Sequence, residues 1–299
     1  MTLSRTSLAF TLLTVLACSQ FTLGQDQTSP AATSYKYSAV NFSGASATLG
    51  TAIDNQGETV GYYTGASCSQ TDCGFSDVKG TFTPIECALE NETRVYDISN
   101  KGEIIGTYTY FGGVHGFILQ GNASCFDIVD PLGSSYTDAR GVNDSGEIVG
   151  FYIDSANNAQ GFLYNGSKET YTTISCAGFT NTLAYGINDA GEIVGAVGSS
   201  DTGPFSAFVY KSGKCTTFSF PKATSTTAIG VNKSGQISGD YTDSSGVNHG
   251  FLRTGSSFQS INYPASNGTL GYHLNDKGQI AGIYSDKTNA VHGFVATPK

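Results

Sequence analysis

Three side chains able to do chemistry break an otherwise regular pattern: Asp97, Arg140 and His273. At the matching positions of sister segments, Asp97 and His273 replace Ala52, Gly141, Gly186 and Gly230, and Arg140 stands where Tyr or Ile occurs in most copies. A carboxylate and an imidazole that meet can act as acid and base, so these three are the candidate ligand-binding residues. Other reactive types occur at one register in copy after copy and read as architecture. His115, His249 and His292 would lie on a circle too wide to share one ion with ~2 Å bonds. Glu58, Glu103, Glu147 and Glu192 follow equivalent turns and read as a solvated hairpin edge rather than a glycosidase pair. The N-D-x-G turns lack the alternating acidic ligands and closing Glu of a calcium loop. With no Ser/His/Asp motif, phosphate loop or metal signature, no catalytic residue, cofactor or metal ligand is assigned.

The pattern that these residues break is a sixfold repeat. It runs AIDNQGETVGYY from Ala52, DISNKGEIIGTY from Asp97, GVNDSGEIVGFY from Gly141, GINDAGEIVGAV from Gly186, GVNKSGQISGDY from Gly230 and HLNDKGQIAGIY from His273. The turn glycines Gly57, Gly102, Gly146, Gly191, Gly235 and Gly278 are 45, 44, 45, 44 and 43 residues apart. A threonine stands nine residues before each (Thr48, Thr93, Thr137, Thr182, Thr226, Thr269) and a second glycine four residues after. Each unit predicts four short strands. A small-residue strand opens at the threonine, the N-D-x-G hairpin leads to an apolar strand, a Gly-Phe strand follows, and a final strand such as TYTTIS from Thr170 ends the unit.

Four strands in ~44 residues without helices match one β-propeller blade. The sixth copy stops after HGFVATPK, and its missing fourth strand is supplied by YSAVNFSGASAT from Tyr37, which aligns with FQSINYPASNGT from Phe258. The expected fold is therefore all-β: a six-bladed β-propeller of four-stranded blades over 35–299, the N-terminal strand completing the last blade. An open solenoid would have no use for that complementary strand. The threonines are expected to bond neighbouring backbone, and Tyr63, Tyr108, Tyr152, Tyr241 and Tyr284 to pack between blades.

The G-[IV]-N-D-x-G-x-I-V-G core followed by His115-Gly116-Phe117, His249-Gly250-Phe251 and His292-Gly293-Phe294 resembles the extracellular HAF-repeat family, with Gly in place of the middle Ala. The other copies carry Cys73, Gln160 or Ser206 in the His place. The resemblance covers nearly all of the chain after residue 34. It implies export and a repeat fold, and it carries no chemistry to transfer.

Export is also written at the N-terminus. A charged start, Met1 to Arg5, precedes the ten-residue apolar run Leu8 to Ala17, which is too short to span a bilayer. Residues 1–24 read as a signal peptide cleaved after Gly24, with a lipobox at Cys18 as the rival reading, and 25–34 as a flexible leader. Six cysteines then remain, an even number suited to an oxidising compartment. Cys68 and Cys73 share one loop and are a candidate disulfide. Register suggests Cys87 with Cys125 and Cys176 with Cys215, against which stands the ~20 Å between the two ends of a six-residue strand. Seven N-x-[ST] sequons occur, those at Asn143 and Asn232 within repeat turns.

Glycine makes up 38 of 299 residues and charged residues only 13%, which excludes a helical bundle, while 39% hydrophobic residues exclude wholesale disorder. A net charge of -9 repels nucleic acid and anionic membranes. The expected protein is a secreted, periplasmic or cell-surface monomer without a membrane span, a binding or interaction module for an unidentified carbohydrate or protein. The alternative is a propeller-fold hydrolase or lyase on extracellular carbohydrate or a lactone, with Asp97 and His273 as acid and base at an axial site.

Overall fold

The computed structural model describes residues 33–65, 68–87, 92–120, 124–127, 130–131, 134, 136–200 and 202–299. The expected signal peptide, Cys18 and most of the leader lie outside the described residues. Among the described residues every regular element is a strand. β1 (Tyr35–Val40) precedes a first blade of β2 (Ala45–Ile53), β3 (Glu58–Gly65), β4 (Cys73–Val78) and β5 (Thr81–Ile85). The second is β6 (Thr93–Ile98), β7 (Ile104–Tyr110), β8 (Gly113–Gln120) and β9 (Ser124–Asp127); the third is β10 (Thr137–Val142), β11 (Glu147–Ile153), β12 (Ala159–Asn165) and β13 (Thr170–Ile174). The fourth is β14 (Asn181–Ile187), β15 (Ile193–Gly198), β16 (Ser206–Lys211) and β17 (Lys214–Phe218); the fifth is β18 (Ser225–Val231), β19 (Ile237–Thr242), β20 (Asn248–Thr254) and β21 (Ser257–Ile261). The sixth blade is β22 (Gly268–Leu274), β23 (Ile280–Ser285) and β24 (Val291–Pro298), closed on its outer edge by β1. β1 runs antiparallel to β24 from Tyr35 opposite Pro298 to Val40 opposite Gly293. This is the six-bladed propeller, and the N-terminal strand seals it.

Each blade is built by the same local rules. The turn glycines take φ of +70° to +90°, the left-handed conformation that closes the first hairpin. The second glycine lies directly opposite the Gly-Phe phenylalanine, as Gly150 lies opposite Phe162. A Cβ on Gly150 would stand 2.0 Å from the Asp138 carbonyl oxygen and 2.9 Å from the Phe162 ring. Glycine there lets the ring lie flat over the sheet. Phe75, Phe117, Phe162, Phe208, Phe251 and Phe294 are all buried as a result.

The seams between blades use the threonines. Thr48, Thr93, Thr182, Thr226 and Thr269 each accept, through Oγ1, the backbone N–H six residues earlier, at 2.9–3.1 Å. The donors belong to Phe42, Cys87, Cys176, Phe220 and Tyr263. Phe42 stacks on Tyr63 at 3.7 Å, Phe220 on Tyr241 at 3.7 Å and Tyr263 on Tyr284 at 3.6 Å. Those same rings meet an outer-strand aromatic of the next blade edge-on: Phe42 with Phe82, Phe220 with Phe258, Tyr263 with Tyr37.

Where the donor is a cysteine, a disulfide occupies that aromatic pair. Cys87–Cys125 and Cys176–Cys215 both form, with Cα atoms 5.4 and 5.6 Å apart. The strand-length objection fails because Cys87 and Cys176 lie beyond the ends of β5 and β13, in the connection already entering the next blade. Cys87 packs there with Val95 and Phe117. Cys68–Cys73 closes the loop before β4, Cα atoms 5.6 Å apart. Three disulfides suit an oxidising, extracytoplasmic compartment. The sequon residues Asn143 and Asn232 are 3% exposed, so these two belong to the turns, as their register implied.

Candidate functional site

The inner strands line the axis, and all six carry a bulge at the same place, between Gly50/Ala52, Val95/Asp97, Ala139/Gly141, Ala184/Gly186, Ala228/Gly230 and Gly271/Leu274. A bulge re-aims its side chains. Just after it adjacent strands come close: a Cβ on Gly186 would stand 2.3 Å from the Ile229 carbonyl oxygen. That approach explains the tiny residues of most copies. Asp97 of β6 and His273 of β22 depart from the rule, separated by β2, whose small Ala52 leaves room between them.

Asp97 and His273 meet. His273 Nδ1 is 3.5 Å from Asp97 Oδ1, and both line a cavity of about 60 Å³ that opens among the first-hairpin turns. Asp97 Oδ1 accepts the Ile98 N–H and Oδ2 the Val142 N–H, each at 2.9 Å. Burial pushes the Asp97 carboxyl up to about 8, against the pull of those two amides. Burial, helped by the nearby Arg140 charge, pushes His273 down to about 3. Both groups are thus driven toward their neutral forms, and near neutrality the pair holds one proton.

The Arg140 guanidinium is not part of that pair, although the Arg140 backbone carbonyl stands beside the His273 ring. Arg140 is a bulge residue, and its guanidinium donates to Asp138 from Nε at 2.7 Å and Nη2 at 2.6 Å. Its Cζ lies 3.8 Å from the Tyr96 ring centre and 5.6 Å from that of Tyr185. Arg140 is a bolt across three inner strands, so two of the three sequence candidates converge and the third serves the channel wall.

The rim of the cavity is a chain of hydrogen bonds from turn to turn that sequence reasoning missed. The Asn55 N–H donates to Asn100 Oδ1 (2.9 Å), Asn100 N–H to Asp144 Oδ1 (2.7 Å) and Asp144 N–H to Asp189 Oδ1 (2.9 Å). Across the other arc, Lys233 N–H donates to Asp276 Oδ1 and Asp276 N–H to Asn55 Oδ1, both 3.0 Å. Only the step from Asp189 to Lys233 lacks this bond, since a lysine side chain has no acceptor. A second tier runs from Asn143, Asn188, Asn232 and Asn275 to the carbonyls of Asn188, Asn232, Asn275 and Asp54. The signal was the N-D of N-D-x-G, which caps its own turn and also reaches the next blade. The same asparagines donate to Glu147, Glu192, Gln236 and Gln279, so these four are anchored rather than merely solvated, whereas Glu58 and Glu103 follow Asp54 and Ser99 in place of the asparagine. His115, His249 and His292 stay apart, paired with Asp130, Asp243 and Asp286 at 2.7, 3.0 and 3.1 Å.

No protein-family model and no curated protein sequence matches this chain. Solved structures match its fold. TolB from Acinetobacter baumannii is 8% identical with a TM-score of 0.56, over 80% of this chain and 63% of that one, so the chain spans less than two thirds of it. The Aleuria aurantia lectin, solved with Fucα1-6GlcNAc, is 12% identical with a TM-score of 0.52, over 83% and 91%. A Trypanosoma rangeli sialidase is 8% identical with a TM-score of 0.51, over 84% and 54%. At these identities the likeness is one of fold. Among the described residues no helix is long and apolar enough to cross a membrane.

Proposed function

We propose that this chain is a secreted or surface-associated propeller, monomeric, that serves as an extracellular binding or interaction module for a carbohydrate or protein, with the turn-side axial mouth as its site. The resemblance to HAF repeats, the N-terminal signal pattern and the disulfides support the address. The observation that carries the site is the Asp97–His273 contact at the floor of a hydrogen-bonded rim. A cavity of about 60 Å³ admits one polar group of a ligand or a few waters, so a larger partner would rest on the rim and insert a single group. The test is binding of the purified protein to arrayed extracellular glycans and proteins. Asp97→Asn and His273→Ala, each compared with native protein at a temperature where the variant is fully folded, should both abolish capture of the same arrayed partner, and a protein whose every captured partner survives both changes removes the axial mouth from consideration.

The contact also favours the hydrolase or lyase reading, in which the pair passes a proton to substrate. Against it, both Asp97 oxygens already hold backbone amides. Turnover of an extracellular polysaccharide or lactone that disappears in Asp97→Asn would reverse this preference.

A further inference from the structure

A second site lies between the fourth and fifth blades, beside the turns of β16–β17, β18–β19 and β20–β21. There a groove of about 550 Å³ is lined by Lys211, Lys214, Thr216, Phe218, Arg253 and Glu192, among others. That volume is within the ~300–1,000 Å³ range of small-ligand sites. Its charge is out of keeping with the rest: the chain carries 15 Lys+Arg and a net charge of -9, yet three of those cations converge here.

Two features set these cations apart. Lys211 and Lys214 lie directly opposite each other across the β16–β17 hairpin, and like charges in that arrangement repel. Arg253 Cζ sits 4.2 Å from the Phe218 ring centre, and among the described residues the guanidinium forms no hydrogen bond or ion pair. Arg253 also departs from the repeat. The residue pairing with the same position of the second strand is Asp77, Leu119, Tyr164, Tyr210 and Ala296 in the other blades. Glu192 is held at the groove by Asn188, and a carboxylate there accepts ligand hydroxyls while repelling a bare polyanion.

We infer that this groove binds an acidic oligosaccharide, its carboxylate or sulfate held by Arg253, Lys211 and Lys214 and its hydroxyls by Glu192 and Thr216. The site is separate from the axial mouth and goes beyond the function proposed for it. Charge-assisted hydrogen bonds supply the affinity, and the opposed lysines gain a shared counter-charge.

The experiment is calorimetric titration of the purified protein with trigalacturonate, a heparin-derived tetrasaccharide, neutral galactotriose and inorganic tripolyphosphate. Binding of trigalacturonate or the tetrasaccharide at 1:1 is expected, the preferred one telling carboxylate from sulfate. Arg253→Ala should weaken it at least about tenfold and Lys214→Ala about threefold, with the melting temperature maintained, and Asp97→Asn should leave it unchanged. The inference falls if neither acidic oligosaccharide binds at millimolar concentration, if galactotriose or tripolyphosphate binds as tightly, or if Arg253→Ala has no effect. Loss in Asp97→Asn alone would move the ligand to the axial mouth and equally overturn it.

Discussion

Thr137 follows Pro131 by six residues, and its buried hydroxyl has no hydrogen-bond partner among the described residues, whereas each sister threonine accepts the amide at that distance. Proline has no N–H to give. Thr226→Val, which takes the acceptor from the half-buried Phe220 amide, should therefore cost about 1 kcal/mol. Thr137→Val removes a hydroxyl already unpaired and should be neutral or stabilising. Urea midpoints of the two variants decide the matter, and equal losses would refute the seam argument.

The disulfides and the aromatic pairs fill one structural position. Cys87–Cys125 and Cys176–Cys215 close segments of 38 and 39 residues, for which loop-closure entropy gives about 4 kcal/mol each. Replacing Cys176 and Cys215 together by Ala should cost about 2–4 kcal/mol. Replacing both by Phe, the pair that Phe220 and Phe258 make one seam further on, should recover about 1 kcal/mol. Thermal unfolding of the three proteins should rank them native, Phe pair, Ala pair; a Phe pair at or below the Ala pair contradicts the equivalence.

How far the sequence could be read follows from what repetition reveals. A position that recurs six times exposes its rule by comparison, so the hairpin glycines, the strand count and the closing role of β1 were legible. The departures Asp97 and His273 were legible as departures. Their contact depended on a fact in three dimensions, that β2 places only Ala52 between their strands. Arg140 too was legible as a departure, but not its placement apart from that pair: a bulge turns neighbouring residues to different sides, and its partner Asp138 is two residues away on the same strand. The turn-to-turn rim was hidden because Asn and Asp already had a sufficient role inside their own turns. Arg253 could have been found by the same comparison, had it been extended to the Gly-Phe strand.

Arg140 and Asp138 should behave as a unit. The Asp138 side chain is 1% exposed, so Arg140→Ala strands a buried carboxylate and should cost about 3–5 kcal/mol. Arg140→Ala combined with Asp138→Ala removes both charges and should regain at least half of that loss. A double-mutant cycle by chemical denaturation measures the coupling. Simple additivity of the two single changes would mean that the cation–π contacts with Tyr96 and Tyr185, rather than the ion pair, hold the wall.

The Asp97–His273 pair should write itself into stability against pH. In the folded protein Asp97 is raised from 3.8 to about 8 and His273 lowered from 6.5 to about 3. Between pH 3.8 and 6.5 the folded pair and the unfolded chain each hold one proton, on Asp97 in the first and on the histidine in the second, so the pair contributes no slope. From 6.5 to 8 only the folded state keeps its proton, and stability should fall with rising pH by about 1.4 kcal/mol per unit. Below 3.8 the unfolded state holds one more, and stability falls with acid. Asp240, raised by burial to about 7, adds its own decline with rising pH from about 4 upward, which cancels when native protein is compared with Asp97→Asn. The native stability minus that of Asp97→Asn should therefore decline steadily between pH 4 and 8. A flat difference over that range would show Asp97 to be an ordinary ionised carboxylate and the cavity floor to be charged.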